Sequence, residues 1–126
     1  MSIKRVLIID DEADIRAVIQ GCLEDIAGWE VLAANCGEQG LEIAVNEKLD
    51  GILMDVTMPG MGGIKTLDKL QENVNTRSIP VALLTAKVLP EEQIEFANLR
   101  IVGIIMKPFD PMTLVEQVAS IFGWEY

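Results

Sequence analysis

Three aspartates directly follow two apolar segments, and their type and spacing point to chemistry. Asp10 and Asp11 follow residues 6–9, and Asp55 follows residues 52–54. Three carboxylates gathered in one place repel one another unless a cation lies between them. The chain has no histidine, and carboxylate oxygens without histidine or cysteine beside them suit Mg²⁺. The sequence therefore predicts a magnesium site at these aspartates.

A lysine and a threonine occupy similar positions behind two further apolar segments. Lys107 follows residues 101–106, and Thr85 follows residues 81–84. A carboxylate nucleophile, a divalent ion, an ammonium group and a hydroxyl donor supply what phosphoryl transfer needs, namely positioning and neutralisation of charge. Taken singly, Thr85 is an ordinary strand-end residue and Lys107 a solvated charge, while Asp11 or Glu12 would cap a helix. Their combination predicts a phosphoryl site.

Five short apolar segments are predicted to be strands. Most lack alternation between apolar and polar residues, which indicates burial on both faces and hence a parallel sheet covered by helices. The segments between them have helical spacing, although residues 87–100 predict only a weaker helix. Asp110 is expected as the N-cap of the last helix, and Gly123 as its end. The predicted strands are residues 6–9, 30–34, 52–54, 81–84 and 101–106, and the clearer helices are residues 15–26, 41–45, 64–70 and 114–122.

This succession predicts an α/β fold, a (βα)5 doubly wound parallel sheet with the flavodoxin-like strand order 2-1-3-4-5. In that order the chain reverses direction between strands 1 and 3, and ligands bind outside their carboxyl ends. Asp10, Asp11 and Asp55 end those two strands. The fold thus predicts that the three aspartates meet.

Length and composition restrict the classes of protein. The chain has 126 residues, half of them apolar, and a formal net charge of −10. We expect one domain over residues 1–126, and no direct binding to nucleic acid, which needs clustered basic residues.

The two cysteines, Cys22 and Cys36, are too few for a disulfide framework and are expected to be buried thiols. The first residues predict neither a signal peptide nor a membrane span, so we expect a cytoplasmic protein without membrane insertion.

The sequence resembles the receiver domains of two-component response regulators over essentially all of its length, and in particular the stand-alone, chemotaxis-regulator-like members. Four motifs carry the resemblance, in order, at the ends of predicted strands 1, 3, 4 and 5. They are Ile-Ile-Asp-Asp-Glu at 8–12, Leu-Met-Asp-Val-Thr-Met-Pro-Gly-Met-Gly-Gly at 53–63, Leu-Thr-Ala at 84–86 and Lys-Pro-Phe at 107–109. The resemblance implies a single receiver domain, with no effector domain after it.

The resemblance also implies which residues bind the metal. Asp11, Asp55 and the backbone carbonyl of Thr57 would hold Mg²⁺, with Asp10 acting through water. Asp55 would be the phosphoacceptor, which takes the phosphoryl group from a phosphohistidine of a sensor histidine kinase or a histidine phosphotransfer protein.

Two further residues gain a role from the resemblance. Lys107 would pair with the phosphoryl group, and its bond to Pro108 would be cis. Thr85 would move its hydroxyl to the phosphoryl group. Such a domain catalyses its own phosphorylation and dephosphorylation without being an enzyme in the usual sense, and it signals by binding a downstream protein.

One position departs from the family pattern, and two alternative functions stay open. Many receivers have an aromatic residue three positions before the lysine, where this chain has Ile104. A Mg²⁺-dependent aspartyl-nucleophile phosphohydrolase of the haloacid-dehalogenase type needs an acid two residues after its nucleophile. Two residues after Asp55 the chain has Thr57, and two residues after Asp10 it has Glu12. The chain also has no room for a cap domain. A flavodoxin-like cofactor binder is the third reading, although three acids would repel a flavin phosphate.

Overall fold

The computed structural model describes residues 3–56, 62–86 and 100–125. Within them, five strands form one sheet in the order β2-β1-β3-β4-β5, and each neighbouring pair is parallel. This arrangement confirms the predicted doubly wound sheet. The strands are β1 (Arg5–Ile9), β2 (Glu30–Ala34), β3 (Gly51–Asp55), β4 (Val81–Thr85) and β5 (Gly103–Met106).

Four helices connect and cover the strands in the described residues: α1 (Ala13–Asp25), α2 (Gly37–Asn46), α3 (Gly63–Glu72) and α4 (Leu114–Phe122). The weaker helix predicted within residues 87–100 falls almost entirely on residues 87–99, which lie outside the described residues. None of the helices in the described part of the chain has the length and apolar character needed to cross a membrane.

The core lies on both faces of the sheet, as the unalternated strands predict. Because side chains alternate along a strand, β1 sends Val6 and Ile8 to one face and Leu7 and Ile9 to the other, and all four are 0% exposed. The first face packs against α1 and α4, and the second against α2 and α3. The cysteines are free thiols of intermediate exposure, so the prediction that both are buried is wrong.

The last helix covers the predicted residues 114–122, but its N-cap differs from the prediction. Its N-cap residue is Thr113 rather than Asp110. The Asp110 carboxylate accepts a hydrogen bond from the Met112 N–H at 2.9 Å, and the Asp110 carbonyl accepts one from the Thr113 N–H at 3.0 Å. Asp110 therefore caps a turn that leads into α4. Gly123 ends α4 as predicted, with a φ of 75° in the left-handed region that favours glycine.

A glycine allows α3 to start directly against the end of β3. A Cβ at Gly63 would lie 2.5 Å from the carbonyl oxygen of Asp55 and 2.8 Å from the Cα of Val56. The Gly63 N–H donates a hydrogen bond to the Val56 carbonyl at 3.0 Å. This close approach fixes the backbone that follows Asp55.

Candidate functional site

Carboxylates from the ends of β1 and β3 converge at one edge of the sheet. β1 and β3 are neighbours, with Ile9 beside Met54, so the residues that follow these two leave the sheet side by side. Ligand oxygens of Asp10, Asp11, Glu12 and Asp55 all lie within 4.8 Å of one another. The predicted meeting of the three aspartates is thus present in the structure, and Glu12 joins it.

Asp10 is held through both its side chain and its main chain. It is 0% exposed. One carboxylate oxygen accepts a hydrogen bond from the Glu12 N–H at 2.9 Å, and the other accepts one from the Lys107 ammonium at 2.9 Å. Its backbone carbonyl accepts a hydrogen bond from Arg16 at 2.7 Å. Contacts on both carboxylate oxygens and on the main chain leave Asp10 little freedom to reorient.

Lys107 lies among three carboxylates. Its Nζ is 2.9 Å from Asp10, 3.4 Å from Asp55 and 3.5 Å from Glu12. Burial is the largest single influence on the pKa of Lys107 and lowers it. The hydrogen bond to Asp10, followed by the charges of Asp10, Asp55 and Glu12, outweighs burial, so the pKa of Lys107 is raised above its ordinary value. The lysine is therefore held as a cation inside the site.

Asp55 and Asp11 differ in their access to solvent. Asp55 is 5% exposed at the end of β3, whereas Asp11 is exposed. Four carboxylates meet the Lys107 ammonium here, and the Arg16 guanidinium contacts the Asp10 carbonyl, which leaves a formal charge of −2 when all are ionised. Excess negative charge of this size favours a bound cation.

The distances between the carboxylate oxygens of the cluster also suit a small divalent ion. Oxygens on opposite sides of an octahedral Mg²⁺ lie about 4.2 Å apart, because each is about 2.1 Å from the ion. The oxygens of this cluster lie within 4.8 Å of one another, so small side-chain movements bring a subset of them to that spacing. The donors are all hard oxygens, and the residues present therefore fit Mg²⁺.

The remaining predicted residues are placed as follows. Thr85 ends β4, is 5% exposed, and its carbonyl accepts a hydrogen bond from the Lys107 N–H at 2.7 Å. The bond between Lys107 and Pro108 is cis, as the resemblance implies. Ile104 pairs with Leu83 in the sheet and packs, partly buried, against the core on the side of α2 and α3. Thr57 lies outside the described residues.

Glu12 is the residue of this cluster for which the sequence analysis predicted no site role. It occupies the N-cap position of α1, yet its side chain makes no capping hydrogen bond, so the alternative in which it only caps the helix does not hold. Its position beside two strand-end aspartates is the signal that could have assigned it to the site. Its contact with Lys107 joins residues that are far apart in the sequence, so this contact becomes visible only once the fold is known.

Comparisons with known proteins agree with this geometry. Residues 6–119 match the family model described as the response regulator receiver domain. Over 118 residues the chain is 37% identical to the phosphate regulon transcriptional regulatory protein PhoB of Pseudomonas aeruginosa. The match covers 94% of this chain and 51% of PhoB, so the chain spans about half the length of that relative.

Two solved structures share the fold. The chemotaxis response regulator CheY4 of Vibrio cholerae is 31% identical, with a TM-score of 0.87, over 95% of this chain and 99% of that one. The receiver domain of sensor histidine kinase PA1611 from Pseudomonas aeruginosa PAO1 is 24% identical, with a TM-score of 0.84, over 97% of this chain and 99% of that one. The latter holds a magnesium ion coordinated in its active site cleft.

Proposed function

The chain belongs to the response regulator receiver domains, which are phosphorylation-controlled signalling switches, and we propose that Asp55 is the residue on which it accepts the phosphoryl group. The observation that carries the proposal is the position of Asp55, buried at the end of β3 with a carboxylate oxygen 3.4 Å from the Lys107 ammonium. Asp11 is exposed, and Asp10, although it is also buried beside Lys107, accepts a hydrogen bond on each of its two carboxylate oxygens.

The donor in this proposal is a phosphohistidine of a sensor histidine kinase or a histidine phosphotransfer protein. A carboxylate oxygen of Asp55 attacks phosphorus, the bond between phosphorus and the imidazole nitrogen breaks, and that nitrogen keeps the electron pair and takes up a proton. The product is an acyl phosphate on Asp55. Because phosphoryl transfer depends mainly on positioning and charge stabilisation, the domain promotes its own phosphorylation and, with water as the attacking group, its dephosphorylation. Receiver domains are signalling domains rather than typical enzymes.

Lys107 and Thr85 are proposed to act on the phosphoryl oxygens. The Lys107 ammonium already contacts the Asp55 carboxylate and would neutralise charge on a phosphoryl group attached there. The Lys107 main chain is hydrogen-bonded to that of Thr85, which keeps the ends of β4 and β5 together. The Thr85 hydroxyl would donate a hydrogen bond to the same group.

Magnesium is the proposed cofactor. Asp11, Asp55 and the backbone carbonyl of Thr57 would hold the ion, and Asp10 would act through a bound water. The proposal is supported by the hard oxygen donors of the acidic cluster and by the magnesium ion in the cleft of the PA1611 receiver domain. When bound, the ion supplies positive charge that offsets the charge of the phosphoryl oxygens.

The output is proposed to come from a downstream protein partner that distinguishes the phosphorylated from the unphosphorylated conformation. Receiver domains work with histidine kinases and downstream effectors, and the relatives include both the longer PhoB and the similarly sized CheY4. That residues 1–126 act as a single domain without an effector domain stays a prediction, as does a cytoplasmic location. None of the matches favours the phosphohydrolase alternative.

The proposal is tested by phosphorylating three proteins in parallel: wild type, Asp55→Asn and Asp68→Asn. Each is incubated with Mg²⁺ and acetyl phosphate, and intact mass is measured. Wild type and Asp68→Asn, which loses an exposed carboxylate of α3, should each gain one phosphoryl group, whereas Asp55→Asn should gain none. Equal labelling of Asp55→Asn and wild type would refute Asp55 as the acceptor. Multiple turnover on a phosphomonoester such as p-nitrophenyl phosphate would instead support a phosphohydrolase.

A further inference from the structure

Glu12 begins α1 without contributing to the helix end. Its backbone is extended, with φ −91° and ψ 112°, and its side chain makes no capping hydrogen bond. Serine, threonine, aspartate and asparagine are the residues that normally cap this position, because their short side chains reach the free N–H groups of the first turn. The Glu12 side chain therefore has a different structural role.

That side chain lies against Lys107. The Glu12 N–H is held by the Asp10 carboxylate at 2.9 Å, which fixes the start of the side chain, and its Oε1 is 3.5 Å from the lysine Nζ. The three carboxylates around Lys107 differ in solvent access. The side chains of Asp10 and Asp55 are 0% and 7% exposed, whereas that of Glu12 is 61% exposed.

We propose that Glu12 is a positioning residue that occupies Lys107 in the unphosphorylated protein and gives it up when a phosphoryl group arrives on Asp55. A lysine ammonium has three N–H donors, and three carboxylates surround this one. Asp10 cannot leave without becoming a buried carboxylate that lacks its cation, and Asp55 carries the incoming group. Of the three carboxylates, only that of Glu12 can replace its contact with Lys107 by contacts with water at a small cost in free energy.

This role rests on the proposed function of Asp55, and it has a consequence for the choice of phosphodonor. The Glu12 carboxylate lies within 4.8 Å of the other three acids, so it repels a negatively charged donor as it approaches Asp55. The repulsion is larger for acetyl phosphate, a dianion near neutral pH, than for phosphoramidate, a monoanion. Glu12 therefore slows phosphorylation by small anionic donors.

The test compares initial phosphorylation rates at saturating Mg²⁺ for wild type, Glu12→Gln, Glu12→Asp and Asp14→Asn. Asp14 is an exposed acid in the first turn of α1, so Asp14→Asn matches the loss of one charge close by. Glu12→Asp keeps the charge but shortens the reach to Lys107. Glu12→Gln should react with acetyl phosphate roughly three to ten times faster than wild type, the range expected for one nearby, partly solvated charge.

The gain of Glu12→Gln should be smaller with phosphoramidate than with acetyl phosphate. Asp14→Asn should stay within about twofold of wild type, since Asp14 is exposed and lies outside the acidic cluster. Glu12→Asp should fall between wild type and Glu12→Gln. A Glu12→Gln rate that equals that of wild type, or does not exceed that of Asp14→Asn, would overturn the role of Glu12 while labelling of Asp55 stands. Absence of label on Asp55 in wild type would instead refute the proposed function.

A binding measurement separates this role from that of a metal ligand. Isothermal titration with Mg²⁺ should show that Glu12→Gln loses less than about threefold in affinity, because only a neighbouring charge is removed. Loss of a direct ligand should cost far more, as expected for Asp11→Ala. A loss in Glu12→Gln as large as that in Asp11→Ala would assign Glu12 to the metal and overturn the inference.

Discussion

At the carboxyl ends of β1 and β3, four carboxylates gather and three of them contact Lys107, whereas at the amino ends of the same strands Arg5 pairs with two acids and aromatic rings pack together. Asp10 and Asp55 are buried at the first end, and Lys107 is the cation that they share. The two ends belong to one sheet and one core. They differ in that the first carries charge that its own residues do not neutralise.

The amino end is built around two tryptophans. The rings of Trp29 and Trp124 meet edge to face with centroids 5.3 Å apart, and Phe122 stacks on Trp124 at 4.5 Å. Lys4 lies over the Trp124 ring, 5.6 Å from its centroid. Gly51 begins β3 beneath this cluster, and a Cβ there would lie 2.8 Å from Trp124. Apolar contact and ring geometry therefore stabilise this end.

Arg5 pairs with two acids at the amino end. It pairs with Glu30 at 3.3 Å and with Glu47 at 3.2 Å, and it donates a hydrogen bond to the Lys48 carbonyl at 2.8 Å. The hydrogen bond to Glu47 is the main reason that the pKa of Arg5 is raised. We infer that one end of the sheet contributes fixed stability, while the other keeps an excess of negative charge that a cation or a phosphoryl group can alter.

Lys107→Met should have the largest effect on stability, because it removes the cation that the buried acids share. It leaves the fully buried Asp10 carboxylate without its cation, and loss of one partner of a buried pair costs about 3–5 kcal/mol. Urea unfolding should show this loss in the free energy of unfolding. Added Mg²⁺ should recover part of it by neutralising the same carboxylates.

Lys65→Met is the matched control for Lys107→Met, because Lys65 is an exposed lysine of α3. Its free energy of unfolding should change by less than about 0.5 kcal/mol, as is usual for surface positions. Similar losses in the two variants would show that Lys107 does not stabilise buried acids.

Trp124→Ala should have the next largest effect, and at the other end only. It removes the stack on Phe122 and the edge contact with Trp29, so we expect a loss of about 2–3 kcal/mol in the free energy of unfolding. Trp124→Phe should lose less, because a ring remains. Below the unfolding transition, the rate of phosphorylation by acetyl phosphate should equal that of wild type. A large fall in that rate would show that the two ends are coupled.

Much of the fold was predictable because buried parallel strands are short apolar segments with little alternation. The predicted residues 30–34 coincide with β2 (Glu30–Ala34), and the other strands differ by one or two residues at their ends. Right-handed crossovers leave only a few doubly wound topologies, and the observed strand order is the common one among them for five strands. Because Asp10 and Asp55 end neighbouring strands, their meeting was predictable too.

The errors concern interactions that local sequence does not determine. Asp110 followed by Pro111 is a typical helix start, yet regular α4 begins three residues after Pro111, because the Asp110 carboxylate caps an initial turn. Glu12 lies at a helix start, where capping is the natural local interpretation. Its contact with Lys107 depends on the order of β1, β3, β4 and β5 across the sheet. The direction of the Glu12 side chain is therefore determined by tertiary contacts and not by the local sequence.

Magnesium should give the smallest stability effect, and this effect should depend on only one end of the sheet. Binding to the folded state alone raises the free energy of unfolding by about 1.4 kcal/mol when the Mg²⁺ concentration is about ten times the dissociation constant. Wild type should show this gain in urea unfolding, and Trp124→Ala should show it in full, because its defect lies at the other end.

Asp11→Ala should lose most of the gain in the free energy of unfolding, since Asp11 is a proposed ligand. Asp14→Ala, which removes an exposed acid of α1, should retain the gain. Equal gains in Asp11→Ala and wild type would remove Asp11 from the metal site, and a reduced gain in Trp124→Ala would show that the ends of the sheet do not act independently.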